Sequence, residues 1–412
     1  MINSQTIDYS TSLSTTQKTA RSVAMSLLKK IKSGSLTVNE SFSVSENRVT
    51  FGDAGASRLQ AAIEVKNPDF YARLLKGGSI AAGEAYMDGW WDSPDLTALM
   101  ELMAVNLATL DSIEGQSSIL SRISYQIGHW FNRNTEKNAA KNISAHYDLS
   151  NELYETFLDK EMLYSAAIFN TESDSLEQAQ LNKMERLCQQ LELSSDDQVI
   201  EIGTGWGGMA IYMAEKYGCH VTTTTISEQQ YQYAKQKIID KGLEHKITLL
   251  KQDYRKLKGH YDKLVSIEMI EAVGKEYLGS YIKKCQSLLR PKGLMAIQAI
   301  TIADQRYDYY SNNVDFIQKY IFPGGFLPSI TALTQATTAH SDLVLRNLYD
   351  IGLDYAQTLK EWHTRFVSSE SNVRKLGFDD TFMRMWKYYF CYCEGGFRAK
   401  SISTVHMTFQ KA

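Results

Sequence analysis

The sequence predicts an α/β fold built on a doubly wound parallel sheet. Five short apolar or β-branched runs recur between residues 199 and 300, and helical segments separate them. A glycine-rich turn at 203–208 follows the first run directly and leads into a helical pattern. Strands that alternate with helices in this way favour a parallel sheet covered by helices. The predicted strands are VIEIG, HVTTTTI, ITLLKQD, KLVSIEM and LMAIQAI.

The composition is that of a globular protein with a sizeable core. Of 412 residues, 43% are hydrophobic and 11% are aromatic. A net charge of −3 gives no support to nucleic-acid binding, which usually needs a basic domain. Five scattered cysteines favour a reducing cytoplasm over a disulfide framework. We predict no metal site, because Cys391 and Cys393 lack a second pair of Cys or His ligands.

Four regions are predicted along the chain. Residues 1–20 are rich in Ser and Thr and are expected to be a disordered tail. A small N-terminal domain covers 21–112, with strand-like pieces at 42–52 and 61–66, then helix, glycine turn, helix, loop and helix. A helical linker covers 113–142, where the apolar spacing fits either a core helix or an interfacial membrane helix. The catalytic domain would be 143–412.

The glycine turn distinguishes between nucleotides. Gly203, Gly205 and Gly207 follow Glu201 in an acid-x-Gly-x-Gly-x-Gly pattern, which is typical of class I S-adenosylmethionine (SAM) methyltransferases. An NAD site would place an acid at the end of the next strand to bond the ribose, and that position holds Thr225. We therefore predict SAM as the cofactor.

Longer strings indicate a particular family. They include 146-HYDLSNELYETFLD-159, 200-IEIGTGWGG-208, 266-SIEMIEAVG-274, 320-YIFPGGFLPS-329 and 354-DYAQTL-359. Over about residues 40 to 408 the chain resembles the cyclopropane-fatty-acyl-phospholipid synthases and mycolic acid cyclopropane synthases, which are SAM-dependent lipid C-methyltransferases. The resemblance implies a Rossmann-like class I methyltransferase sheet with a helical acyl-binding cap and a small N-terminal domain.

The resemblance also implies a set of cofactor contacts. These residues are Tyr164 and Ser165 at the methionine end, Glu201, Gly203, Gly205 and Gly207 at the glycine turn, Thr225, Ser227 and Gln230 at the ribose, and Asp253 and Tyr254 at the adenine.

The implied reaction is methyl transfer from SAM to the cis double bond of an unsaturated phospholipid acyl chain. Aromatic faces can stabilise the resulting carbocation, and the chain has 24 Tyr and 15 Phe. Loss of a proton from the new methyl group closes a cyclopropane ring, which is the expected product. Loss from a neighbouring carbon leaves a methylated or exomethylene chain, which is the first alternative. A non-catalytic lipid-binding relative is the second.

In the family, a bound bicarbonate ion removes that proton. The resemblance places Glu271, Tyr355 and the backbone of Ile300 around this ion, and His146 in the active site.

Two side chains of the implied bicarbonate site depart from the family pattern. Ala166 stands where many synthases have cysteine, and Gln298 stands where they have histidine. The Ala166 N–H and the Gln298 amide can still bind an oxyanion, so bicarbonate stays open as a second cofactor. The loss of a thiol and an imidazole also leaves the choice between ring closure and a methyl product open.

The predicted location of the protein follows from the phospholipid substrate that the resemblance implies and from the hydropathy of the chain. No run of about 18 apolar residues occurs, so contact with lipid is expected to be peripheral. We predict a cytoplasmic protein at the inner membrane surface, with phospholipid as its partner and no nucleic acid. Homodimer formation stays open.

Overall fold

The computed structural model describes residues 13–42, 47–53, 55, 58–107 and 149–412. The described chain divides into two compact units. Unit 1 contains described residues up to 107 together with 378–399, and unit 2 contains 149–377 and 400–412. The sequence predicts a linear division with 143–412 in one domain, whereas the structure groups 378–399 with unit 1. The predicted linker at 113–142 and His146 lie outside the described residues.

Unit 1 is a four-stranded sheet with helices packed on it. The sheet order is β2-β1-β3-β4, with β1 parallel to β3 and antiparallel to β2. The strands are β1 Ser35–Glu40, β2 Asn47–Gly52, β3 Gln60–Val65 and β4 Trp91–Asp92, and the first three helices are α1 Thr15–Leu28, α2 Phe70–Met87 and α3 Leu96–Val105. Helix α1 begins inside the segment 1–20 that the sequence predicts as disordered, because Ser14 and Gln17 form a capping box there.

The expected helix, glycine turn and helix are present in α2. Gly78 interrupts this helix with φ 61° and ψ −145°, a conformation open to glycine. Helix α3 follows the short loop, and the Asp95 side chain caps it by accepting from the Ala98 N–H.

A helix from late in the chain completes unit 1. This helix, α14 (Asp380–Arg398), packs on α3 at Gly395, where a Cβ atom would lie 2.6 Å from the backbone nitrogen of Glu101. Thr97 donates to the buried carboxylate of Glu394 over 3.1 Å. Arg384 donates to the Trp91 carbonyl over 2.9 Å. These long-range contacts explain why 378–399 belongs to unit 1.

Unit 2 is built on a seven-stranded sheet in the order β10-β11-β9-β8-β5-β6-β7. Strands β7, β6, β5, β8 and β9 are parallel, while β11 is antiparallel to both β9 and β10. The strands are β5 Gln198–Ile202, β6 His220–Thr225, β7 Ile247–Lys251, β8 Tyr261–Ile267, β9 Leu289–Ile302, β10 Leu343–Asp350 and β11 Ile402–Lys411. All five predicted strands are confirmed, and β10 and β11 were not predicted.

Helices pack on both faces of this sheet. The helices of unit 2 are α4 Asn151–Glu155, α5 Leu176–Gln190, α6 Gly208–Tyr217, α7 Glu228–Asp240, α8 Leu278–Leu288, α9 Asp304–Ser311, α10 Phe316–Tyr320, α11 Ile330–His340, α12 Gly352–Ser368 and α13 Glu370–Lys375. One apolar cluster packs α8 on the sheet around Ile200 and Leu264, and another packs α5 and α6 around Val199. The carboxyl ends of the five parallel strands therefore share one edge, where ligands bind in open α/β sheets. Within the described ranges, no helix is long and apolar enough to cross a membrane.

Candidate active site

The glycine turn after β5 has an open face. Gly203, Gly205 and Gly207 have φ values of 101°, 54° and 92°, which favour glycine. A Cβ atom on Gly205 would meet nothing within 4 Å. The N–H groups of Gly203 and Thr204 donate to the Thr224 carbonyl, which ties the turn to β6. Because α6 begins just after Gly207, its unpaired N–H groups favour a negatively charged group at the turn.

Glu201 supports this turn from the strand. Its Oε2 accepts from the Thr223 hydroxyl over 2.5 Å, and Thr223 lies 2.6 Å from the Thr204 hydroxyl. Burial raises the pKa of Glu201 to about 8. Glu201 therefore acts on the turn through two threonines and is protonated at neutral pH.

The three residues predicted at the ribose lie together after β6. Thr225 donates to the Gln230 side chain over 3.0 Å and accepts from the Ser227 N–H over 3.1 Å. Ser227 caps α7 by accepting from the Gln230 N–H. All three are buried, so the turn that would face a ribose is fixed by its own hydrogen bonds.

The residues predicted at the adenine follow β7. Asp253 accepts from the N–H and the guanidinium of Arg255, at 2.9 and 3.1 Å. The Tyr254 ring packs edge-on against Tyr281, with 5.3 Å between centroids. The Tyr254 hydroxyl is buried, and the Arg255 guanidinium lies 5.1 Å from the centre of the Tyr254 ring.

The segment containing Tyr164 and Ser165 is held at both ends. Asp159 accepts from the Leu163 N–H over 2.9 Å. Beyond the segment, the Ala167 N–H donates to Thr358 of α12 over 3.0 Å. These two hydrogen bonds therefore hold the backbone of Tyr164 and Ser165 in a fixed position.

Aromatic rings surround Tyr164. Its centroid lies 5.1 Å from Trp362, 5.3 Å from Tyr154 and 6.2 Å from Phe322. Phe322 belongs to the 320–329 loop. The faces of such rings can stabilise a nearby cation.

A carboxylate that sequence reasoning did not identify, Glu268, lies at the centre of the site. Its Oε1 accepts from the Ala166 N–H over 2.9 Å and from the Gln298 amide over 2.7 Å. Its Oε2 accepts from the Tyr355 hydroxyl over 2.9 Å. The carboxylate lies deep in the protein, yet part of the residue remains accessible, as contact with a substrate requires.

A buried lysine provides positive charge nearby. Lys183 is fully buried, and its Nζ donates to the Ser165 hydroxyl over 2.7 Å. Burial lowers the pKa of Lys183 to about 8, against the opposing charges of Glu268 and Asp159. Burial raises the pKa of Glu268, while its hydrogen-bond donors and Lys183 oppose that rise.

Gln298 is oriented by a histidine behind it. His406 Nε2 lies 2.9 Å from Gln298 Oε1. Burial lowers the pKa of His406 to about 3, so the ring is neutral and its one N–H can donate to this oxygen. The Gln298 NH2 group then faces Glu268 and the Ala166 carbonyl.

The predicted acid, Glu271, lies beside this cluster. Its Oε1 accepts from the Ile300 N–H, and its Oε2 is buried without a hydrogen-bond partner among the described residues. Burial and the charge of Glu268 raise the pKa of Glu271 to about 8. Since Glu268 has more donors than Glu271, the negative charge of the pair resides on Glu268.

These contacts do not fit the expected bicarbonate ion. The four groups predicted to hold it, from Ala166, Gln298, Tyr355 and Ile300, already donate to carboxylates of the protein. The string 266-SIEMIEAVG-274 contained the missed signal, because a second acid stands three residues before Glu271. The described residues contain no group of three or more His, Cys, Asp or Glu that could hold a metal ion.

The sheet order and the glycine turn are those of a class I SAM-dependent methyltransferase. The family match and the similar solved structures confirm the predicted fold class and the predicted cofactor, SAM. The solved structure of the cyclopropane synthase MmaA2 from Mycobacterium tuberculosis matches with a TM-score of 0.62 and 24% identity, over 66% of this chain and 98% of that one. The mycolic acid cyclopropane synthase CmaA1, complexed with SAH and CTAB, matches with a TM-score of 0.61 and 25% identity, over the same shares.

The sequence comparisons identify the family. The model of the family described as mycolic acid cyclopropane synthetase matches residues 134–407. The tuberculostearic acid methyltransferase of Mycobacterium tuberculosis is 36% identical over 88% of this chain and 87% of its own length. The cyclopropane-fatty-acyl-phospholipid synthase of Escherichia coli is 36% identical over 85% of this chain and 88% of its own. The chain belongs to the mycolic acid cyclopropane synthetase family.

Proposed function

We propose that this enzyme transfers the methyl carbon of SAM to the cis double bond of an unsaturated phospholipid acyl chain, and that loss of a proton closes a cyclopropane ring. One observation carries the proposal: three consecutive residues connect the aromatic rings of the site to its carboxylates. Tyr164 lies among aromatic rings, Ser165 bonds to Lys183, and the Ala166 N–H bonds to Glu268. The predicted cofactor segment thus runs directly into the carboxylate cluster.

Each part of this site supports one requirement of the reaction. SAM, when bound, supplies a methyl group on a positively charged sulfur. The rings around Tyr164 favour positive charge that develops on the acyl chain. Their apolar packing also excludes water that would otherwise capture the cation. Glu268 and Glu271 supply the carboxyl groups that we propose as acceptors of the proton.

A methylated or methylene chain without ring closure is the second candidate. Gln298 stands where many family members have histidine. Glu268 accepts hydrogen bonds from the donors that were expected to hold bicarbonate. The tuberculostearic acid methyltransferase is also as similar to the chain as the cyclopropane synthase is. The ordered acid cluster argues against a purely lipid-binding role.

The substrate determines where we propose that the enzyme acts. Phospholipid acyl chains lie in a bilayer, so the reaction would take place at the cytoplasmic membrane surface with the enzyme bound peripherally. Co-sedimentation with vesicles of unsaturated phospholipid tests this location. Analytical ultracentrifugation decides whether the enzyme forms the homodimer that the sequence leaves open.

Mass spectrometry of lipids from a host that makes cis-unsaturated phospholipid tests the function. Expression of the protein should add one CH2 to the acyl chain and remove its double bond. The same gain with a double bond retained would establish the second candidate. No gain, from a protein that still binds SAM, would contradict both.

A further inference from the structure

We infer that the Glu268 carboxylate fills the position of the family's bicarbonate ion and is itself the base that removes the proton. The inference rests on the proposed function and names the proton acceptor of that reaction. It assigns a catalytic role to a residue of the chain where the family uses a bound ion.

The hydrogen bonds of Glu268 are those expected around a bound anion. Donors from three separate parts of unit 2 converge on this carboxylate, from Ala166, Gln298 and Tyr355, at 2.7–2.9 Å. Oε1 has two of these donors, whereas Oε2 has one. Oε2 therefore retains a lone pair that can accept a proton.

A second anion would be poorly accommodated beside Glu268. It would meet like charge, and it would find the Ile300 N–H engaged by Glu271. The neutral form of Glu271 limits the pair to one negative charge, which Lys183 partly balances. The cluster of Glu268, Glu271 and Lys183 therefore already contains its negative charge and does not need bicarbonate to supply one.

The backbone of Glu268 is strained in a way that keeps it in place. Its φ of 48° lies in the left-handed region, which a glutamate rarely adopts. Its N–H donates to the Gln298 carbonyl over 2.8 Å, which holds this conformation against the adjacent strand. Strain of this kind persists where surrounding contacts enforce it and is frequent at functional sites.

Methyl transfer forms one C–C bond and breaks one C–S bond before the proton leaves. The alkene π electrons form the new C–C bond to the methyl carbon, the C–S electron pair leaves with sulfur, and a cation remains on the other alkene carbon. A proton of the new methyl group moves to Glu268 Oε2. The freed C–H electron pair closes the ring, and the proton is later released to water. Burial raises the pKa of Glu268, which makes it a stronger base than an exposed carboxylate.

The test uses purified full-length enzyme, SAM and vesicles of unsaturated phospholipid, in buffer stripped of CO2 and in the same buffer with added bicarbonate. Wild type, Glu268→Gln, Glu268→Gly and the exposed control Glu215→Gln are compared. Glycine suits the left-handed backbone, so Glu268→Gly should fold. Calorimetric binding of SAH checks each fold, and NMR with 13C-bicarbonate measures anion binding directly.

We expect the wild-type and Glu215→Gln rates to be independent of bicarbonate. Glu268→Gln should be slower by about 100-fold or more and stay slow, because the amide fills the site but cannot take a proton. Glu268→Gly should be equally slow without CO2, should bind 13C-bicarbonate and should regain activity with it.

Either a wild-type rate that requires bicarbonate or a fully active Glu268→Gln would overturn the inference. Failure of Glu268→Gly to bind bicarbonate would overturn the claim that Glu268 fills the anion position. A wild type that binds SAM but modifies no acyl chain would contradict the proposed function instead. In that case NMR still decides whether Glu268 or bicarbonate fills the anion position, since wild type should bind no bicarbonate and Glu268→Gly should bind it.

Discussion

The imidazole of His406 orients the amide of Gln298, with 2.9 Å between His406 Nε2 and Gln298 Oε1. Without this contact the amide can rotate, and Glu268 loses a donor. We expect His406→Leu to raise the pKa of Glu268 further, so that the acidic limb of the pH–rate profile moves to higher pH. The rate at pH 7 should fall roughly tenfold, as for loss of one hydrogen bond to a charged group.

A matched control for His406→Leu is Gln190→Ala. Gln190 is the second partner of His406, at 3.2 Å, and does not bond to Gln298. Its removal should leave the pH profile close to wild type. An unchanged profile in His406→Leu would show that the histidine does not position Gln298.

The glycine turn gives a second prediction. Gly205→Ala places a methyl group on the open face of the turn, where the cofactor is predicted to lie, so the Kd for SAM should rise at least tenfold. Gly242 also has a positive φ, 65°, and open space where an added methyl group would lie, but it follows α7. Both substitutions should cost about 1 kcal/mol of stability. Calorimetry should show weakened SAM binding only in Gly205→Ala.

The rings around Tyr164 give a third prediction. Tyr164→Leu removes an aromatic face from the ring cluster that we propose to stabilise the acyl cation, so kcat at saturating SAM should fall roughly 30-fold, the equivalent of about 2 kcal/mol. Tyr164→Phe keeps the ring and should keep most of the activity. Phe382→Leu, which alters a stacked pair in unit 1, is the structural control. Equal kcat values in Tyr164→Leu and wild type would exclude this role.

The buried acid behind the turn gives a fourth prediction, on stability. The folded protein holds the proton of Glu201 up to a pKa of about 8, whereas the unfolded chain releases it near the ordinary value of 4.5. Between these values the unfolded state binds fewer protons, so the free energy of unfolding falls as pH rises. Glu201→Gln should reduce this fall between pH 5 and pH 8 by roughly 2–4 kcal/mol.

Urea denaturation at several pH values measures the effect of Glu201→Gln. Glu215→Gln, at an exposed ion pair with Lys241, should follow the wild-type pH dependence. A wild-type slope in Glu201→Gln would mean that Glu201 is ionised in the folded protein.

The parallel strands and the glycine turn could be predicted because their signals are local. Each strand is a short apolar run, and the turn is a fixed spacing of glycines after Glu201. Strand β10 gave no such signal, because it lies at the sheet edge and seven of its eight residues are exposed. The placement of α14 depends on contacts between residues about 290 positions apart, such as Arg384 with Asp92.

The centre of the site could not be predicted from sequence for the same reason. Glu268 collects donors from residues 102, 30 and 87 positions away. The buried Lys183 lies on a helix whose sequence gives no sign of contact with Ser165. The resemblance assigned the donors of Ala166, Gln298 and Tyr355 to an ion, and only the folded chain shows that they donate to the Glu268 side chain.

The most direct test of methyl transfer uses SAM that has a deuterated methyl group. Purified enzyme is mixed with this SAM and vesicles of cis-unsaturated phospholipid in CO2-free buffer, and the acyl chains are analysed by mass spectrometry. We predict acyl chains that contain the deuterium label and have lost their double bond. Unlabelled acyl chains, from enzyme that binds SAM and the vesicles, would contradict the account.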